Sequence, residues 1–204
     1  MTVGRMWLAG AAAIAAGTLW LLVWWHQRAT HGSSELNEMR LALGLTWMDS
    51  AKLLVVPFLL LVVALVTLWR TTDSSPLGVA GFVLSIAALG LLAVGAALEF
   101  WSFSWGSYTQ GFDRPLPRAG GLVQALGTLA LTVGLILLAV DGVRRKALSP
   151  LIAPLLPLGA LATFWHTPVH AAPALVSLFL GSALLWRSAR RRDREPVSLA
   201  RAKD

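Results

Sequence analysis

Apolar residues in this chain come in long unbroken stretches, not in the short periodic patterns of a soluble fold. Residues 6–25, 53–69, 74–98, 119–140, 147–165 and 171–186 contain no Asp, Glu, Lys, Arg or His. A helix crosses roughly 30 Å of hydrocarbon with about 20 mostly apolar residues, at about 1.5 Å per residue. The pattern therefore predicts an all-α, polytopic transmembrane helical bundle of six spans, at approximately 6–25, 47–69, 76–98, 119–141, 149–165 and 171–187. Residues 1–187 form the membrane domain and residues 188–204 a basic, disordered cytoplasmic tail. The first stretch looks like a secretory signal, but it is long and ends in Trp24 and Trp25 instead of a small-residue cleavage site, so it reads as an uncleaved span.

Local signals refine these spans. Leu36, Met39 and Leu43 recur at helical spacing in the first outer loop and predict a short interfacial helix stopped by Gly44. Thr46 with Asp49 fits a capping box, which starts the second span at Trp47, and Lys52 can snorkel outward. Ser75 or Asp73 caps the third span, with Pro76 in its first turn. Gly78, Gly81, Ser85, Gly90 and Gly95 make that span a central, closely packed helix. Gln124, Thr128 and Thr132 form a polar stripe expected to face other helices. Pro150, Pro154 and Pro157 interrupt the fifth span, leaving the carbonyls of Pro150 and Ala153 without their regular donors.

Charge sets the orientation. With six spans, 12 of the 17 basic residues fall on one side, including Arg5, Arg70, Arg144, Arg145, Lys146 and the Arg187–Lys203 cluster. Basic loops stay in the cytoplasm, so both ends are predicted to lie inside. Tryptophan, which prefers the headgroup level, agrees: Trp7, Trp69 and Trp186 mark the inner edge and Trp24, Trp25, Trp47, Trp101, Trp105 and Trp165 the outer one. Only Trp20 lies within a span.

Composition narrows the chemistry. The chain is 56% hydrophobic and 13% charged, and has no cysteine, which excludes disulfides, thiol nucleophiles, iron–sulfur clusters and covalent c-type haem. Its arginine, alanine and leucine bias points to a bacterial cytoplasmic (inner) membrane. The basic tail reads as a stop-transfer cluster that meets anionic lipid headgroups, with no nucleic acid as partner. There is no phosphate loop, no HExxH and no Gly-x-Ser-x-Gly, and no charged residue lies deep in a span, which argues against an ion-coupled transporter.

The candidate chemistry sits on the outer face. His26, His31, His166 and His170 all fall there, together with Glu99, Glu35, Glu38, Asp49 and Asp113. Imidazole and carboxylate suit Zn, Cu, Fe or Ni, so His26, His31, His166, His170 and Glu99 are the candidate ligands of a metal or haem site. Pro168 interrupts the spacing of His166 and His170, and the two pairs belong to separate loops. The first and fifth spans share an aromatic-Trp-His ending, which would match spans one and two to spans five and six in the same orientation. Nothing in the chain requires a cofactor. The leading expectation is a non-catalytic accessory, assembly or interaction protein with a membrane-protein partner. The alternatives are the extracytoplasmic metal or haem site and a small channel or transporter.

Overall fold

The computed structural model describes residues 3–30, 47–69, 75–101, 115–145, 148, 150 and 153–161, and helical positions 174, 176–178, 180–182, 184 and 185. All elements among them are helical: α1 (Val3–Thr30), α2 (Trp47–Lys52), α3 (Val55–Trp69), α4 (Pro76–Ala96), a π-helical turn (Ala97–Trp101), α5 (Pro115–Arg144) and α6 (Leu155–Leu161). Four segments are long and apolar enough to cross a membrane: Gly4–Trp25, Asp49–Thr67, Pro76–Trp101 and Arg118–Arg144. The expected interfacial helix at Leu36–Leu43 and the tail over 188–204 lie outside the described residues, as do residues 102–114.

Large apolar side chains face outward. Leu122 and Leu126 are 62% exposed and Leu129 is 53% exposed on one face of α5, while the buried set is rich in Ala, Gly and Ser. A soluble bundle does the reverse. Lipid tails are as apolar as leucine, so in lipid it is close packing of small residues that draws helices together.

The helix starts follow their local chemistry. Ser75 caps α4: its hydroxyl accepts from the Gly78 N–H at 3.2 Å, and Pro76, with no N–H to leave unsatisfied, occupies the first turn. The second span starts at Trp47 as the capping signal implied, but it is not one helix. Pro57 cannot donate to the Leu53 carbonyl. The Val56 N–H takes that carbonyl instead, at 3.0 Å, and α2 ends in a turn at Leu53 and Leu54 before α3 begins. Val56 would otherwise have served the Lys52 carbonyl, which is left to the Trp101 indole N–H at 3.4 Å. The break thus ties the second span to the third. Around Pro154 the Ala153 carbonyl, expected to lack a donor within the chain, accepts from Leu156 N–H at 3.3 Å, and α6 begins only after that turn. Pro150 likewise stands in a turn ahead of the helix.

Neighbours in sequence are neighbours in space. α1 packs on α2 and α3, α3 on α4, α4 on α5, and α5 on α6. Gly159 of α6 lies against Val176, and Gly10 and Gly17 of α1 lie against Gly181, Leu185, Ala174 and Leu178. The helical residues 174–185 therefore close the ring onto α1. One core cluster draws on every wall: Trp20 of α1, Phe58 of α3, Leu89 and Leu92 of α4, Leu131 of α5, Ala160 of α6 and Ala174. Trp20 meets Phe58 edge-on at 5.2 Å. Trp69 stacks on Phe82 at 4.3 Å, joining the end of α3 to the start of α4.

Candidate functional site

Glu99 and Asp141 stand at opposite ends of the α4–α5 pair. Gly78, Gly81, Ser85, Ala88, Leu92, Gly95 and Glu99 follow each other at alternating spacings of three and four, as do Gly120, Gln124, Gly127, Leu131, Gly134, Leu138 and Asp141. This is the heptad period that keeps two helices facing along their length. The helices run antiparallel in strict register, with Gly81 opposite Leu138, Ser85 opposite Gly134, Leu92 opposite Gly127 and Gly95 opposite Gln124. They approach closely because the crossing residues are small. A Cβ added to Gly81 would stand 2.9 Å from both the Gly134 carbonyl oxygen and Leu138 N. Gly90, grouped with the packing glycines by sequence, falls off this period and faces open space.

At one end of the pair the π-helical turn carries Glu99. Its backbone nitrogen lies 2.5 Å from where a Cβ on Gly120 would stand, so glycine there is what lets the turn seat against α5. Gln124 Nε2 donates to Glu99 Oε2 across the seam, as the polar stripe implied. Thr128 and Thr132 are buried, and their hydroxyls donate within α5 to the Gln124 carbonyl at 3.0 Å and the Thr128 carbonyl at 2.8 Å. The π-helical turn also touches α2. There Lys52 Nζ meets Asp49 Oδ1 at 3.4 Å, both side chains about a third exposed.

At the other end Asp141 is buried. Its Oδ1 accepts from the Ser75 hydroxyl at 2.5 Å and from Arg145 Nε at 3.0 Å, and the carboxylate lies against Gly78 in the first turn of α4. A negative charge at a helix N-terminus is favourable, and here a base and a hydroxyl share it. Midway along the seam the Ser85 hydroxyl is fully buried beside Gly134 without a hydrogen-bond partner.

Of the residues singled out by sequence, Glu99 is described and is bonded to Gln124. Asp49 is paired with Lys52. His26 stands in the last turn of α1, with its side chain outside the described set, and His31, His166, His170, Glu35, Glu38 and Asp113 lie outside the described residues altogether. Among the described residues no three His, Asp or Glu gather as metal ligands would. Sequence reasoning passed over Asp141, which stands one residue beyond a charge-free run, and Pro57, which sits inside one. The heptad spacing running from Ser85 to Glu99 and from Gly120 to Asp141 would have flagged both carboxylates as seam residues. No protein family, no curated protein and no solved structure matches the chain.

Proposed function

We propose that the chain is a six-span protein of a bacterial cytoplasmic membrane with both ends inside. In this reading it serves there as a non-catalytic accessory or assembly protein. The antiparallel seam between α1 and residues 174–185 supports an even number of crossings, since chain ends carried by antiparallel first and last spans share one side. The accessory role rests on one observation: each described carboxylate is engaged by a side chain of the bundle itself. Asp141 holds α5 to the cap of α4, Glu99 holds the π-helical turn to α5, and Asp49 holds Lys52 within α2. Such a bundle offers a partner a firm apolar wall rather than a reactive cleft.

The test is purification of the tagged chain from its membranes in mild detergent, followed by native electrophoresis, metal analysis and an absorption spectrum. The accessory reading expects migration in an assembly with a stoichiometric membrane partner, with neither metal nor haem at one per chain. Migration alone overturns it. A metal or a Soret band at one per chain favours the second reading, an outer-face site built from His26, His31, His166, His170 and Glu99. That reading draws on the position of His26: α1 packs on α2, and α2 receives Trp101 from the turn that carries Glu99. Topology is tested separately with cysteines placed in this cysteine-free chain. Those at Ser33, Thr109 and Thr167 should react with an impermeant thiol reagent in intact cells, and those at Thr71 and Ala147 should not.

A further inference from the structure

The two glycine seams of the ring are copies of one another. In the α4–α5 seam a Cβ on Gly127 would meet Leu92 Cγ at 3.0 Å, Leu92 N at 3.1 Å and the Ala88 carbonyl at 3.2 Å. In the seam that closes the ring, a Cβ on Gly17 would meet Leu178 Cγ at 2.9 Å, Leu178 N at 3.1 Å and the Ala174 carbonyl at 2.7 Å. A Cβ on Gly95 would meet Cγ and N of Gln124 at 2.6 and 2.8 Å and the Gly120 carbonyl at 2.9 Å. One on Gly181 would meet Cγ1 and N of Ile14 at 2.6 and 2.9 Å and the Gly10 carbonyl at 2.7 Å. The residue types match as well: Gly10 with Gly120, Gly17 with Gly127, Leu178 with Leu92, and Gly181 with Gly95.

The remaining two spans match in their flaw. Pro57 and Pro157 each strip a donor from the carbonyl four residues back. In each case the residue just before the proline supplies the replacement N–H, Val56 to Leu53 at 3.0 Å and Leu156 to Ala153 at 3.3 Å, and the helix resumes two residues after that carbonyl. Spans one, two and three thus correspond to spans four, five and six. Successive helices run in opposite directions, so each matched pair is inverted. The ring sets the two seams on opposite sides, as a pseudo-twofold axis in the membrane plane requires. This pairing differs from the same-orientation match suggested by the aromatic-Trp-His endings.

The two seams differ in polarity at one crossing. Where one has Leu185 and Ile14, the other has Glu99 and Gln124. Packing does not call for polar residues there, because the copy closes with aliphatic ones. The carboxylate also lies where the helix departs to π geometry, a departure frequent at functional sites. Among the described residues nothing balances its charge: on α5 it faces the neutral Gln124, with Arg118 exposed further out; α4 and α3 carry no charge; on α2 Lys52 is bonded to Asp49. Glu99 lies close to the end of the membrane-length segment Pro76–Trp101, and ionisable residues in such segments are rare and often functional.

We propose that Glu99 and Gln124 form a site for a small monovalent metal cation, of sodium type, on one side of an inverted repeat. The Glu99 carboxylate supplies the balancing charge. The Gln124 amide, turned to present its oxygen, would supply a second ligand; oxygen ligands suit hard cations, and a single carboxylate balances a single positive charge. The site is independent of the accessory reading and neither requires a partner nor excludes one.

The test uses the full chain in detergent. Its thermal unfolding midpoint is followed as sodium chloride replaces choline chloride at fixed ionic strength, with equilibrium binding of radioactive sodium alongside. A ligand that binds only the folded state raises stability with the logarithm of its concentration. The wild type should show that rise and hold one sodium per chain. The double variant Glu99→Leu, Gln124→Ile, which installs the residues of the other seam, should unfold near the wild-type midpoint in choline and ignore sodium. A wild type indifferent to sodium, a midpoint that moves with pH alone, or a double variant that retains the sodium response overturns the site. A double variant that cannot be recovered folded overturns the claim that packing does not need the pair.

Discussion

The α4–α5 pair holds a carboxylate at each end, and the two are treated differently. Asp141, at the end where α4 begins, receives a hydroxyl and a guanidinium and faces the first turn of a helix. Its charge is accounted for by the fold. Glu99, at the opposite end, receives an amide and no cation among the described residues. Both lie on the same heptad seam and both join elements, so position alone does not separate them. Charge balance does. A seam carboxylate with a resident base is part of the scaffold, whereas one without is a place where something else is to be accommodated.

Parting the seam that both ends share should erase this contrast, and it should have the largest effect. Gly81→Leu drives a side chain into the Gly134 carbonyl and Leu138 backbone of α5, and we expect a loss of about 3 kcal/mol, the upper range for an overpacked core. SDS-titrated unfolding in bicelles measures it, and a loss below about 1 kcal/mol would mean that the helices do not approach as closely as described.

Next in size is Asp141→Ala, which leaves the Ser75 hydroxyl and Arg145 without their acceptor. Hydrogen bonds to charged groups are worth about 1.5–3 kcal/mol, and with Arg145 about a third exposed the lower part of that range is expected. Glu99→Leu alone should cost less, about 1 kcal/mol in sodium-free buffer, because it leaves only the Gln124 amide unpaired. The order of these two losses is the point, and a larger loss at Glu99 would reverse the comparison. The smallest effect is expected for Trp101→Phe, which keeps the ring but removes the donor to Lys52. About 0.5 kcal/mol is expected, in line with measured interhelical bonds in membranes, together with the loss of one residue's share of the tryptophan emission.

Much of the architecture could be read from residue order. The charge-free runs located the four long helices, Ser75 and Pro76 marked the start of α4, and the glycines and Gln124 identified a packed helix and a cross-helix bond. Three features were harder to see, each for a physical reason. The break after Lys52 hides in an apolar run because a proline near the end of a span costs hydrophobicity nothing. Asp141 escapes a topology argument built on basic residues. The inverted repeat is carried by spacing and by small residues, which a reading for motifs passes over, and its two halves run in opposite directions. Of the candidate outer site, Glu99 was found by its position at a span end, but its partner, and the absence of a base beside it among the described residues, required coordinates. The side chains of His26, His31, His166 and His170 lie outside the described set.

The bond from Trp101 to Lys52 also bears on how the chain is made. A regular span completes its backbone hydrogen bonds within itself and can pass from the translocation channel into lipid as soon as it is synthesised. The second span cannot. Its Lys52 carbonyl is released by the break before Pro57 and waits for an indole that is synthesised 49 residues later. Until then that carbonyl needs water, which holds the early part of the second span at the aqueous edge or inside the channel. The second and third spans are therefore expected to partition into lipid as a hairpin, coupled in time by a proline and a tryptophan.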